Sequence, residues 1–230
     1  MQPRRLALLL TYLCCLPAWT QQEITTVKNE PANLDSAKKE LGRYHDCTEE
    51  NCYQPQLQRQ IDLAVGFLHG SVANAKPGEK LALVLDIDET SLSNWRIETR
   101  DDFGYIPNDS NLCIALHCGE AIAPTLRLYE EASRLGVTVF FITGRPEPQR
   151  ADTEANLKAV GYASWGRLYL RPVNHPVDQS VSDYKSGERG EIVRMGYRIV
   201  LNVGDQMSDL TGPHSADHSV KLPNPFYFIP

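Results

Sequence analysis

Apolar positions along the chain fall into two alternating rhythms. Residues 81–86 (LALVLD), 137–143 (VTVFFIT) and 198–205 (RIVLNVGD) are short, nearly continuous apolar runs. Such runs fit strands buried on both faces, as in a parallel sheet. Residues 167–170 form a weaker run of the same kind. Helical stretches lie between them at 124–135, 148–160 and 184–195, and Gly136, Gly161 and Gly196 stand just past their ends. Glycine there is the usual helix stop. Upstream, Leu57, Ile61, Val65, Leu68 and Val72 step by three and four, which predicts an amphipathic helix opening near Pro55. The alternation predicts an α/β fold, a Rossmann-like parallel sheet flanked by helices. Residues 91–120 interrupt the rhythm after the first strand. The stretch is too long for an ordinary connection and predicts a small cap insertion over a site. Residues 21–42 are polar without an apolar period and predict an extended N-terminal arm ahead of a domain over 43–230.

The first residues read differently. Arg4 and Arg5 precede an apolar stretch from Leu6 to Leu16, followed by Ala18 and Thr20. The stretch is too short to span a bilayer, and the pattern predicts a signal peptide over 1–20 and an exported product, periplasmic or secreted. Cys14 and Cys15 are preceded by Leu13 and Cys14, not by the small residue that a lipobox needs, so no stable membrane anchor is expected. The net charge of −6 disfavours nucleic acid polymers and anionic membranes as partners. It also means that an anionic substrate must be met by a metal or by placed cations. Cys47, Cys52, Cys113 and Cys118 remain after the signal, an even set in an oxidising compartment. Local disulfides, Cys47–Cys52 and Cys113–Cys118, are expected. The zinc alternative lacks a His at a fixed offset and suits the compartment poorly.

The acids give the chemistry. Asp86 ends the first strand, with Asp88 and Thr90 just beyond; Thr143 ends the second; Lys185 lies at the start of a helix; Asp205 and Asp209 follow the third. Strand C-termini of a parallel sheet share one edge, where ligands bind. Four carboxylates brought together repel unless a cation intervenes, and oxygen-only ligands suit a hard ion such as Mg2+. An Asp beside a metal can act as a covalent nucleophile, and a second Asp can shuttle the leaving-group proton. With a Lys for a phosphoryl oxygen, the set describes phosphoryl transfer.

LVLDIDETSLSNW, FFITGRPE, DYKSGER and NVGDQMSDL, together with the ending KLPNPFYFIP, resemble the haloacid dehalogenase (HAD) superfamily. More narrowly, they are similar to its class B/C secreted acid phosphatases, a group that includes bacterial outer-membrane acid phosphatases and plant vegetative storage proteins. The resemblance runs from about residue 43 to the end. It implies a magnesium-dependent phosphomonoesterase acting on a small molecule, with nucleoside monophosphates as the family-level substrate. In this reading Asp86 is the nucleophile and Asp88 the acid/base, with its backbone carbonyl on the metal. Thr90 holds Asp88 in position, and Thr143 and the Gly144 N–H bind phosphate. Lys185 neutralises the phosphoryl group, Asp205 binds metal, and Asp209 binds metal or orients Lys185. Neighbouring carboxylates are expected to raise the pKa of Asp88. Arg145 is a candidate anion guide, with helix capping or surface pairing as the alternatives. Trp95, Phe103 and Tyr105 are candidates for stacking on a leaving group, with packing of the cap as the alternative. Arg189 is either functional or part of a solvated helix face. A phosphotransferase and a non-catalytic storage protein stay open as other functions, although this chain retains the nucleophile that some storage members lack. The oligomeric state stays open.

Overall fold

The computed structural model describes residues 27–229. The expected signal peptide lies outside them. Residues 27–33 contain a turn at Lys28–Asn29 and no helix or strand. The next element corrects the extended arm: α1 covers Leu34–Asp46. Leu34, Ala37, Leu41 and Tyr44 step by three, four and three, a helical period obscured by the charged residues among them. None of its residues is buried, although Leu41 and Tyr44 pack partly on the core.

The helix α2 follows at Tyr53–Ala73, then β1 at Lys80–Leu85. The cap contains β2 (Leu92–Ser93), α3 (Trp95–Arg100), α4 (Pro107–Ala115) and β3 (Glu120–Ala121), with β2 and β3 paired antiparallel at its base. The chain then runs through α5 (Ala123–Arg134), β4 (Thr138–Pro146), α6 (Arg150–Ala159) and β5 (Arg167–Arg171). It finishes with α7 (Val181–Arg194), β6 (Tyr197–Gly204), α8 (Met207–Leu210) and β7 (His218–Lys221). A 3-10 turn at Glu147–Gln149 leads into α6. Gly136, Gly161 and Gly196 have φ of 76°, 115° and 86°, the left-handed stop expected of them.

The five-stranded sheet has the order β5-β4-β1-β6-β7, and every pairing in it is parallel. Central β1 is buried on both faces. Leu81, Leu83 and Leu85 join the core under α2 and α5 (Leu57, Ile61, Leu68, Leu128), while Ala82 and Val84 meet Tyr184 and Ile192 of α7. Burial of a Leu of this kind is worth about 1.5–3 kcal/mol. Edge strand β7 is the one strand of this sheet without a sequence expectation: its four residues, HSVK, carry a single buried side chain, Val220. Register places Leu85 beside Phe141 and Val203. The residues that follow β1 and β6 therefore emerge at one edge, near Thr143.

Both local disulfides are formed, Cys47–Cys52 ahead of α2 and Cys113–Cys118 at the end of α4. The cap is also held from α1. The His45 ring stacks on Trp95 at 3.6 Å between centroids, and the Lys38 ammonium lies 2.5 Å from Asp102. Among the described residues, no helix is long and apolar enough to cross a membrane.

Candidate active site

The loop after β1 turns through Glu89, whose φ is 52°. This left-handed geometry costs roughly 1 kcal/mol or more for a non-glycine residue. It is held by the Glu89 N–H donating to the Leu92 carbonyl at 2.8 Å, and it separates Asp88 from Thr90. Asp86 is anchored by its own N–H, which donates to the Val203 carbonyl at 3.1 Å.

Lys185 reaches in from α7. Its Nζ donates to Asp86 Oδ1 and to Asp209 Oδ1, each at 2.5 Å. All three side chains are nearly fully buried. Burial alone would push the ammonium pKa down, but Asp86 and Asp209 more than reverse that and keep Lys185 charged. Burial raises the Asp86 carboxyl. Lys185 opposes the rise, while Asp209, Asp205 and Asp88 add to it.

Carboxylate oxygens of Asp86, Asp205 and Asp209 lie within 4.8 Å of one another. This buried, oxygen-only set fits a hard divalent cation. Asp205 is braced at both oxygens: Thr90 Oγ1 donates to Oδ1 at 2.9 Å, and Gln206 Nε2 and Asn224 Nδ2 donate to Oδ2 at 2.7 and 2.8 Å. Burial, then Asp209, raises its carboxyl despite the Asn224 and Gln206 hydrogen bonds. Asp209 Oδ2 accepts the Gln206 N–H at 2.8 Å as part of a capping box on α8. Gly204 is required here, because a Cβ would collide with the Asp209 side chain.

Asp88 stands apart from this trio. Arg145 Nε donates to both of its carboxylate oxygens at 3.1 and 3.0 Å, Arg145 Nη2 to Oδ1 at 2.6 Å, and Asn94 Nδ2 to Oδ1 at 2.8 Å. Burial pushes its carboxyl up, but the charge and hydrogen bonds of Arg145, with Asn94, outweigh burial and hold it below the ordinary value. This corrects the expected rise. It also shows Arg145 to be a buried partner of Asp88 and not a surface residue.

Two other expectations change. Thr90 bonds Asp205 instead of Asp88. Trp95 is not among the residues that line the cavity: its ring packs on His45 and lies 4.9 Å from Phe226, the packing alternative to stacking on a leaving group. Thr143 is fully buried, and its Oγ1 accepts the Arg145 N–H at 3.1 Å. Gly144 is exposed on the wall of the cavity. Arg189 is fully buried. Its Nη1 donates to the Asp209 carbonyl at 2.6 Å, Nε to the His214 carbonyl at 3.0 Å, and Nη2 to the Thr211 carbonyl. It clamps the loop that carries Asp209.

Sequence reasoning gave no role to Asn94, Gln206, Asn224, Glu89 or Tyr227. The Glu89 carboxylate accepts the Asn94 N–H at 2.6 Å and the Tyr227 hydroxyl at 2.8 Å. Burial, with the charges of Asp88 and Asp205, pushes its carboxyl up to about 8. An acid inside the D-x-D-x-T segment and a polar residue inside the C-terminal aromatic run were the available signals.

A cavity of about 480 Å³ opens over Asp86, Asp88, Lys185, Asp205 and Asp209. Cap residues Ile97, Glu98, Phe103 and Tyr105 form part of its wall, and the C-terminal residues Tyr227 and Phe228 another part.

Residues 14–230 match the family described as HAD superfamily, subfamily IIIB (acid phosphatase). The chain belongs to this family. Proteins similar to this chain occur in plants. It is 36% identical over 154 residues to the stem 28 kDa glycoprotein of Glycine max, covering 65% of this chain and 61% of that protein. It is 37% identical over 154 residues to acid phosphatase 1 of Solanum lycopersicum, covering 64% and 58%. The chain thus spans about three fifths of the length of these relatives. The class C acid phosphatase from Bacillus anthracis shares the fold, with a TM-score of 0.68 at 21% identity over 85% of this chain and 86% of that one.

Proposed function

We propose that this protein is an exported, magnesium-dependent acid phosphatase that hydrolyses small phosphomonoesters through an aspartyl-phosphate on Asp86. The observation that carries the reading is the buried Lys185 ammonium bridging Asp86 and Asp209, with Asp205 completing an oxygen trio at the floor of an open cavity.

Asp86 attacks phosphorus, and the ester P–O bond breaks. Asp88 donates a proton to the departing oxygen. Water then attacks the phosphorylated Asp86. Its proton returns to Asp88, and phosphate and the free Asp86 carboxylate are released. Lys185, Thr143 and the Gly144 N–H bind the phosphoryl oxygens, and Lys185 offsets their charge from a nearly fully buried position. Asp86, Asp205 and Asp209 would hold Mg2+, with the Asp88 carbonyl as a further ligand. When bound, the ion supplies positive charge against the phosphoryl oxygens and relieves the carboxylate repulsion. Arg145 keeps the Asp88 carboxyl low, so the proton needed for the first step is present mainly in acid, consistent with an acidic optimum.

The apolar and aromatic walls from Ile97, Phe103, Tyr105 and Phe228 suit a planar leaving group, a nucleoside among them. Phosphate release from a panel of monoesters tests the reading, with added magnesium and after chelation. Turnover that magnesium restores after chelation supports it. Undiminished turnover after exhaustive chelation removes the metal assignment, and no release from any ester removes the function.

A further inference from the structure

The cavity is chemically two-ended. Its floor holds the acids and Lys185, and its outer end is walled by the cap and the C-terminal residues. The cations that line it are Arg145 and Lys185, and both are committed, Arg145 to Asp88 and Lys185 to Asp86 and Asp209. The cap adds Glu98 and Asp101. Asp101 Oδ1 accepts from Arg100 Nε at 3.0 Å. No side chain of the described residues donates to the Glu98 carboxylate or pairs with it, although Glu98 is half-buried on α3 and lines the cavity. Burial, then the charges of Asp88 and Asp101, pushes its carboxyl up to about 7, as expected of an acceptor that lacks a partner.

We infer that Glu98 is a specificity-determining residue, favouring phosphomonoesters whose leaving group carries a hydrogen-bond donor, a hydroxyl or an ammonium, over those whose leaving group carries a second anion. This rests on the phosphomonoesterase reading above. A partly desolvated acceptor without a donor is satisfied when a ligand supplies one. An anion placed at the same end meets Glu98, ionised above about pH 7, and finds no uncommitted cation among the lining residues, an arrangement that rejects it by repulsion. The rings of Phe103, Tyr105 and Phe228 are compatible with an ammonium, which is attracted to aromatic faces.

Three esters built on one ring test the inference: phenyl phosphate, 4-(aminomethyl)phenyl phosphate and 4-carboxyphenyl phosphate. Each is assayed with magnesium at about pH 8, where the Glu98 carboxyl is ionised, on the wild type, Glu98→Gln and Glu98→Ala. The ratio of kcat/KM for the ammonium ester to that for the carboxylate ester is expected to fall about tenfold in both variants, mostly through KM. Comparing ratios between proteins cancels the different leaving abilities of the three phenols. An unchanged ratio in the variants overturns the inference while leaving the phosphatase reading intact. So does a lower wild-type KM for the carboxylate ester than for the ammonium ester, which needs no variant to fold. A wild type that releases phosphate from none of the three removes both.

Discussion

Replacing Lys185 with Met tests the electrostatic core of the site. The substitution keeps an unbranched apolar stem and removes the charge that lies 2.5 Å from both Asp86 Oδ1 and Asp209 Oδ1. The three side chains are 6%, 7% and 3% exposed, so water screens the loss poorly. Breaking a buried ion pair by removing one partner costs about 3–5 kcal/mol, chiefly through the charge left behind. The cost should depend on pH with a definite sign. Burial and neighbouring carboxylates already raise the Asp86 carboxyl, and loss of the ammonium removes its main opposition. An acid whose folded-state pKa lies above its unfolded value takes up a proton on folding, so stability falls as pH rises through that window. Destabilisation of Lys185→Met relative to the wild type should therefore be largest near neutrality and shrink toward the ordinary carboxylate range. Urea unfolding of both proteins in chelator, at several pH values, measures it. Turnover with magnesium should fall by about 10²–10³, the usual cost of one preorganised donor to a developing charge. A variant equally destabilised at every pH, or one with near wild-type turnover, would refute the reasoning.

Asp86→Asn is nearly isosteric and should abolish turnover while leaving a cooperative thermal transition; substantial activity in a preparation shown by mass to be free of deamidation counts against the nucleophile. Arg145→Met should raise the Asp88 carboxyl, because the cation that holds it down is gone, and so move the descending limb of the kcat/KM profile to higher pH while kcat drops about 10²-fold. A uniform loss of rate with an unmoved profile would mean that Arg145 acts elsewhere. Asn224→Ala removes one of the two amide donors on Asp205 Oδ2 and should weaken magnesium activation about 10-fold or more, read as the metal concentration for half-maximal rate. Reduction of Cys113–Cys118, whose Cys113 lines the cavity, should change KM more than kcat, as steady-state kinetics on the reduced and alkylated protein would register.

Much of this molecule was legible in one dimension. A run such as LALVLD is apolar at every position because β1 is covered on both faces, and the glycines after α5, α6 and α7 mark where those helices stop. Parallel strands send their C-termini to one edge, so the acids after β1 and β6 had to meet, and Lys185 on α7 with them. What the sequence could not carry was the pairing of side chains at that edge. Asp88 chooses Arg145, 57 residues away, and Thr90 chooses Asp205, 115 residues away, through register and loop geometry that no local pattern encodes. Trp95 packs on His45 because a helix absent from the sequence reading lies beside the cap. Arg189 reads as one more charge on a polar helix until the fold wraps three carbonyls around it. Residue types and their places at strand ends are local properties; hydrogen-bond partners, and the pKa shifts they cause, arise only when distant segments are brought together.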